Sequence, residues 1–177
     1  MVGFVDDTTV RDDDGGAGGG TVTMRLVDEQ LRKRVLALAP HPFQRSWSGV
    51  PADTLGPAER DPRQWPVAIL LDEEPAGFLV LHGGVSAGRF VRPHGELLIR
   101  AFFVAAPFQH RGVGRRALEL LPRFARQLDP SLSRLVLTVN DVNEVAQRAY
   151  TRAGFRDTGE RYQRPGGGPQ LVLELLV

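Results

Sequence analysis

The stretch "QHRGVGRR", residues 109–116, decides the fold, with two glycines one residue apart between flanking arginines. It follows the apolar run 96–105, which predicts a strand, and leads into 115–128, which has the apolar periodicity of a helix. The first turn of a helix offers unpaired N–H groups and the positive end of the helix dipole. Because glycines let a ligand approach the backbone closely, the stretch predicts an anion site suited to a pyrophosphate.

From these residues alone, a helix start with glycines for tight packing stays an alternative. A dinucleotide-binding fingerprint needs a third small residue, which Ala117 supplies, but the motif comes late in the chain. The next strand is also not followed by an acidic ribose ligand. A Walker A loop is excluded because it needs a lysine here, and Lys33 is the only lysine.

Hydrophobic periodicity predicts the elements on either side of this stretch. Strands are expected at 21–27, 67–72, 76–83, 96–105, 134–139, 155–164 and 169–177, and helices at 28–39, near 51–60, and at 115–128 and 143–154. A strand–helix–strand crossover implies that 96–105 and 134–139 pair in parallel. The other strands are expected to be antiparallel, so the fold class is α+β, a mixed and mostly antiparallel sheet with helices on both faces.

Composition limits the function classes. Residues 1–20 are acidic and then glycine-rich, so we expect a disordered tail before a single domain at 21–177. The net charge is only +1, which gives no reason to expect nucleic acid or a membrane surface as a partner. No cysteine is present, so no thiolate metal site is expected, and no metal is predicted. The lack of a signal peptide or a long apolar run makes a soluble cytoplasmic protein the default expectation.

A second stretch, 137–155, spaces Asn143, Ala146, Tyr150 and Gly154 at helical intervals, and Phe155 opens the next strand. This reads N-x-x-A-x-x-x-Y-x-x-x-G-F, and residues 109–114 read Q-x-x-G-x-G. One helix and one strand separate the two motifs. With both motifs in this order, the chain resembles the GNAT superfamily of acetyl-CoA-dependent N-acetyltransferases over roughly residues 21–177.

The resemblance implies that acetyl-CoA is the cosubstrate and binds where strand 96–105 splays from strand 134–139 near Val104. Backbone groups of Phe103 and Val104 would bind the pantetheine arm and polarise the thioester carbonyl. Asn143 would hydrogen-bond the arm, and Tyr150 would donate a proton to the departing thiolate. The pyrophosphate would be held by the motif residues Gln109, Arg111, Gly112, Val113, Gly114 and Arg115. Judged as residue types alone, Asn143 is also a good helix N-cap, and Tyr150 is also a good packing residue.

The acceptor side carries fewer signals. Arg100 stands where the polyamine-directed relatives have an acid, which argues against a polyamine. It either binds a substrate carboxylate or phosphate, or pairs with Glu96 or another acidic residue of the chain. Glu96 is the candidate general base, sharing a face with Arg100 unless a bulge intervenes. Thr138 occupies the place of a glutamate seen in other relatives, and His94 is the histidine to test.

The expected function is transfer of an acetyl group from acetyl-CoA to a primary amine of a small molecule, by direct attack in a ternary complex. A protein or peptide acceptor and a non-catalytic acyl-CoA-binding protein stay as alternatives. A homodimer is also compatible with the sequence. The irregular stretch 40–66, with Phe43, Trp47 and Trp65, is expected to cover the acceptor side, either as core or as substrate wall.

Overall fold

One sheet of eight strands and four α-helices make up the part of the chain that the computed structural model describes, residues 9–11, 20–44 and 49–177. The strands are Thr9–Arg11 (β1), Val22–Leu26 (β2), Gln64–Leu71 (β3), Glu74–His82 (β4), Glu96–Val104 (β5), Arg134–Asn140 (β6), Arg156–Gln163 (β7) and Pro169–Leu176 (β8). The helices are Glu29–Leu36 (α1), Pro51–Glu59 (α2), Val113–Leu128 (α3) and Glu144–Arg152 (α4).

The strand order is β1-β2-β3-β4-β5-β6-β8-β7, and only the β5–β6 neighbours run parallel. The sheet is therefore mixed and mostly antiparallel, which confirms the predicted fold class. The parallel pair is the one that the α3 crossover was expected to create. Its register runs from Glu96 opposite Arg134 to Ile99 opposite Leu137.

Helices pack on both faces of the sheet. On one face, α3 and α4 cover the larger core, which includes Leu121, Phe124 and Phe155. On the other face, α1 and α2 cover a second core around Leu55 and Phe78. Beside that second core, the loop 83–95 packs Ala87 and Val91 onto the sheet. We call this second face, with α1, α2 and the loop 83–95, the acceptor face.

Local sequence signals account for the element ends. Asp28 caps α1, and its Oδ1 accepts a hydrogen bond from the Leu31 amide at 2.7 Å. Asp72 and Glu73 join β3 to β4 with φ values of +50° and +66°, the left-handed pair of a tight hairpin turn. The predicted hairpin is confirmed, with a turn one residue earlier than expected. Gly154 ends α4 with φ +95°, as a C-terminal glycine should.

The sequence missed one strand. Residues 9–11 lie in the predicted disordered tail, yet they form β1 and pair with Thr23–Arg25 of β2. The disorder prediction is wrong for these three residues, because a free sheet edge offers backbone hydrogen bonds to almost any extended segment. Residues 1–8 and 12–19 of the predicted tail, Trp47 and the side chain of Phe43 lie outside what the structure describes. In the described ranges, no helix has the length and apolarity that a bilayer crossing requires.

Candidate active site

The two parallel strands separate halfway along their length. Pairing between β5 and β6 ends at Ile99 and Leu137, although β5 continues to Val104 and β6 to Asn140. The sequence placed the separation near Val104, and the structure begins it at Ile99. The space between residues 100–104 and 138–140 is called the strand gap below. Backbone groups that would have paired across it are left for a ligand.

A bulge in β5 accompanies the gap. Val80 pairs with Arg100 and Phe78 pairs with Phe103. Between these two pairs β4 has one residue and β5 has two, so β5 carries one extra residue. Ala101 sits in the bulge with φ +53°. The bulge shifts the alternation of side chains, so Phe103 packs against Phe78 on the acceptor face and Phe102 reaches Tyr150 on the other.

The close approach of β4 at this point requires Gly77. A Cβ on Gly77 would lie 2.6 Å from the Phe103 carbonyl oxygen, which is too close for any side chain. The Ala105 amide donates to the Ala76 carbonyl, so Gly77 and Val104 form a pair that is not directly hydrogen-bonded. The amide and carbonyl of Val104 therefore point into the strand gap. By the same alternation, the backbone groups of Phe103 point to β4, which corrects their predicted role toward the pantetheine arm.

The stretch 109–116, called the phosphate loop below, ends in an open helix N-terminus. Gly112 is the N-cap of α3, with φ +74°, and among the described residues no side chain caps the helix. The first amides of the helix, at Val113, Gly114 and Arg115, therefore have no capping side chain and are available to an anion. A Cβ on Gly114 would lie 3.4 Å from Val104 Cγ2, so the helix start packs directly on the end of β5.

The arginines of the phosphate loop have three different environments. Arg115 is exposed and pairs with Glu119 at 2.7 Å. The Arg111 guanidinium lies 5.9 Å from the Phe108 ring centroid. Arg116 is buried and donates to the carbonyls of Gly20 at 2.6 Å and Arg111 at 3.3 Å. Arg116 therefore holds the loop in place.

Gln109 is also used within the protein. Its Nε2 donates to the Val104 carbonyl at 2.9 Å and to Gln44 Oε1 at 2.7 Å. Both hydrogens of the Gln109 side-chain amide are thus used in contacts within the protein. Gln109 links the end of β5, the phosphate loop and the segment before α2, so its contribution to a cofactor site is through position.

Helix α4 supplies the other wall of the gap. Asn143 caps it, and its Oδ1 accepts from the Ala146 amide at 3.2 Å. This leaves the Asn143 Nδ2 to face a ligand, so the side chain can act as cap and as donor. Tyr150 is buried, with ring contacts to Phe102 and Phe155, and burial raises its pKa above the ordinary tyrosine value.

A cavity of about 420 Å³ joins these parts. The predicted residues that line it are Phe103, Val104, Gln109, Gly112, Val113, Gly114, Arg115, Asn143 and Tyr150. Thr138, which stands where other relatives have a glutamate, also lines the cavity, whereas sequence reasoning missed Gln44, Phe102, His110, Asn140 and Ala146. Of these, Ala146 belongs to the motif that runs from Asn143 to Phe155. The side of the sheet on which Phe102 lies could not be predicted, because the bulge at Ala101 shifts the alternation of side chains. Arg111, Glu96 and Arg100 are not among the lining residues.

The prediction of Glu96 as general base is corrected. Glu96 is the first residue of β5, five residues before Ala101, or about 16 Å along a strand. It is buried, and its Oε2 accepts from the Arg92 amide at 2.8 Å and from Arg134 at 3.0 Å. A carboxylate so engaged anchors the loop 83–95 to β6. The exposed His94 likewise does not line the cavity.

Arg100 does not pair with Glu96. Its Nη1 lies 3.3 Å from His82 Nδ1 on the acceptor face. Trp65 packs against the core under α3, so it is core rather than a substrate wall.

Solved structures share this fold. The GNAT domain of S. lividans PAT superposes with a TM-score of 0.71 at 17% identity, covering 96% of this chain and 97% of that chain. The aminoglycoside acetyltransferase AAC(6')-Ib in complex with coenzyme A gives a TM-score of 0.69 at 21% identity, covering 88% and 94%. The chain therefore has the same overall fold as these solved structures.

Sequence comparison identifies the family. The model of the acetyltransferase (GNAT) family matches residues 24–155. The uncharacterized N-acetyltransferase YbbJ of Bacillus subtilis (strain 168) is 30% identical over 130 residues, which are 73% of this chain and 81% of that relative. The chain therefore belongs to the acetyltransferase (GNAT) family.

Proposed function

We propose that this protein is an N-acetyltransferase that moves the acetyl group of acetyl-CoA directly to a primary amine of a small molecule. The observation that carries the proposal is the meeting of two backbone sites at one cavity. These are the strand gap, which leaves Val104 unpaired toward β6, and the uncapped N-terminus of α3 at Gly112. Family membership supports the same chemistry.

The residues present fit acetyl-CoA. The amides of Val113, Gly114 and Arg115 suit the pyrophosphate, because a helix N-terminus favours an anion. The Val104 amide and the Asn143 Nδ2 suit the amide groups of the pantetheine arm. Bound there, acetyl-CoA supplies an activated thioester to the acceptor amine.

Tyr150 is the group that we assign to proton donation. Its raised pKa keeps the phenol protonated near neutral pH, which is the state a general acid needs. The proton goes from the Tyr150 hydroxyl to the thiolate sulfur that leaves. Among the described cavity residues there is no carboxylate, so the amine enters neutral or loses its proton to water. The rate should then rise with pH as the amine deprotonates.

A small-molecule acceptor is supported by a structural neighbour. The structure of AAC(6')-Ib in complex with coenzyme A and kanamycin matches this chain with a TM-score of 0.69. That enzyme is an aminoglycoside acetyltransferase. This neighbour supports an acceptor of small-molecule size for the cavity beside the strand gap.

The test has two arms. Acetyl-CoA binding is measured by calorimetry, and thiol release is then followed with a panel of amino acids, polyamines, aminoglycosides and short peptides, with the acetylated product confirmed by mass. We expect binding and amine-dependent thiol release with at least one small amine. Binding without turnover on every amine would instead indicate a non-catalytic acyl-CoA-binding protein, and turnover on peptides alone would indicate a peptide acceptor.

A further inference from the structure

A directed chain of hydrogen bonds crosses the acceptor face beside the strand gap. Arg100 Nη1 lies 3.3 Å from His82 Nδ1, His82 Nε2 lies 2.9 Å from Ser86 Oγ, and Ser86 Oγ donates to Asp61 Oδ2 at 2.9 Å. Since a guanidinium can only donate, His82 Nδ1 accepts and Nε2 carries the proton. The chain thus runs from Arg100 through His82 and Ser86 to Asp61, and it holds His82 neutral.

This direction excludes a nucleophilic role for Ser86. In a serine–histidine pair built for attack, the histidine nitrogen accepts the serine proton. Here the Ser86 proton is donated to Asp61, and the histidine nitrogen facing Ser86 is itself a donor. The chain orients the arginine instead.

Arg100 keeps its charge without a carboxylate. Within the described residues its side chain is exposed, and its hydrogen-bond partner is the neutral His82. Other arginines differ: Arg134 pairs with Glu96 at 3.0 Å, and Arg32 pairs with Glu59 at 2.8 Å. Asp61 does not reach Arg100, because it accepts from the Arg63 amide, Gln64 and Ser86. A guanidinium held on one side by a neutral group has its remaining donors ready for an anion.

The position of Arg100 places that anion site at the acceptor end of the gap. Its neighbours Ile99 and Ala101 both line the cavity. Arg100 itself lies opposite Val80, which belongs to the core under α1 and α2, so its side chain is on the acceptor face. The cavity reaches this face at Ala101 and Phe103, which pack with that core.

We propose that Arg100 is the specificity residue of the acceptor site: the amine accepted by this protein carries a carboxylate or a phosphate that binds the open donors of Arg100, while His82, Ser86 and Asp61 hold the guanidinium in place. This rests on the proposed acetyl transfer. It selects compact acceptors that carry an amine and an anion, and it disfavours polyamines, whose positive charges Arg100 repels.

The experiment uses matched pairs of acceptors that differ in the anion: an amino acid and its amide, and phosphoethanolamine and ethanolamine. We expect wild-type protein to favour the anionic member of at least one pair by about 10-fold or more in kcat/KM, as a charge-assisted bidentate contact provides. The pair that shows the preference distinguishes a carboxylate from a phosphate. Arg100→Gln should remove the preference by raising KM for the anionic member, with unchanged acetyl-CoA affinity.

Two further variants sharpen the result. His82→Gln should lose part of the preference, since the guanidinium stays but is no longer oriented. Arg126→Gln, on the last turns of α3, removes the same charge about 20 Å along the helix from its start, and should keep the full preference. A preference for the neutral member of every pair, or an anionic preference that survives in Arg100→Gln, overturns the proposal.

A binding measurement separates this inference from the proposed function. In CoA-saturated protein, N-acetylglycine and N-acetylglycinamide, with O-phosphoethanolamine and ethanolamine, are titrated by NMR without turnover. Arg100-dependent binding of the anionic member, with no acetylation of any amine, would sustain the anion site and refute acetyl transfer. Equal binding of both members in wild-type protein overturns the anion site whatever the turnover.

Discussion

The two sides of the strand gap offer different chemical groups to a ligand: backbone groups on one side and side chains on the other. On the α3 side, the proposed site consists of backbone groups: the Val104 amide, the helix start at Gly112, and the amides that follow it. On the acceptor face, the proposed site consists of side chains, with Arg100 contacting His82. A site of backbone groups recognises what all substrates of a family share, whereas side chains can change from one member to the next.

Tyr150 is the side chain on the cofactor side to which we assign proton donation, and its removal should have the largest effect. Tyr150→Phe should lower kcat by about 100-fold, the scale of a lost general acid. Acetyl-CoA affinity should stay within about twofold, because the ring contacts to Phe102 and Phe155 remain. Steady-state kinetics and calorimetry measure the two effects.

Tyr162→Phe is the matched control. Tyr162 packs edge-on against Phe90 at 5.0 Å, on the other side of the sheet. It is the second of the two tyrosines in the chain, and its variant should keep wild-type kcat. If Tyr150→Phe also turns over at the wild-type rate, Tyr150 is not the proton donor.

The second prediction tests the backbone character of the cofactor side. Gly112→Val should weaken acetyl-CoA binding by about 10-fold or more, since a left-handed conformation costs a β-branched residue about 1–2 kcal/mol and the loop must shift. Gly166→Val is a control with a similar backbone, φ +70° against +74°, and with open space around its Cβ. Calorimetry should find its affinity unchanged. Equal affinities in the two variants would mean that the phosphate loop does not bind the cofactor.

The third prediction concerns the link between the two sides. Gln109→Leu removes two hydrogen bonds, each worth about 1 kcal/mol, and should weaken acetyl-CoA binding by about 5–10-fold. Gln44→Leu removes one of the two and should have a smaller effect, and the double variant should be less than additive. Gln163→Leu, whose Nε2 donates to Gly167 in an exposed turn, is the control. Strict additivity would show that Gln44 and Gln109 act separately.

The fourth and smallest predicted effect is a pH dependence of folding stability that comes from His82 on the acceptor face. Burial and the nearby Arg100 lower the pKa of His82 below its ordinary 6.5, although Asp61 opposes this. The unfolded chain then binds more protons than the folded one. The contribution of His82 to the free energy of unfolding is therefore fully present above about pH 6.5 and is lost as the pH falls from there through the lowered pKa of the folded state. Denaturant melts from pH 8 to 5 should show a slope that His82→Gln reduces. An unchanged slope in the variant would exclude His82 as its source.

The sequence predicted most of the residues that meet at the cavity beside α3, because their signals are local. Helical periodicity, the glycines at 112 and 114 and the Asn143–Tyr150 spacing all lie within short windows. The parallel pair followed from one crossover. The bulge at Ala101 was not predictable, because a left-handed alanine carries no sequence signal, and it changes which residues face the gap.

The acceptor side was predicted poorly because its contacts join distant residues. Glu96 meets Arg134, 38 residues away, and Ser86 meets Asp61, 25 residues away. Nothing in either local pattern indicates such a partner. On the cofactor side, Arg116 donates to the Gly20 carbonyl, 96 residues earlier, and the local sequence does not indicate this partner either.

The central claim is that acetyl-CoA binds backbone groups of the strand gap and the phosphate loop. Amide hydrogen exchange with and without saturating acetyl-CoA tests it most directly, since it reads those N–H groups themselves. We predict slower exchange in the bound state for peptides that contain Val104 and residues 111–116, with unchanged exchange for residues 84–92 of the acceptor face. Unchanged exchange in 111–116 at full saturation, or protection confined to other segments, would contradict the account.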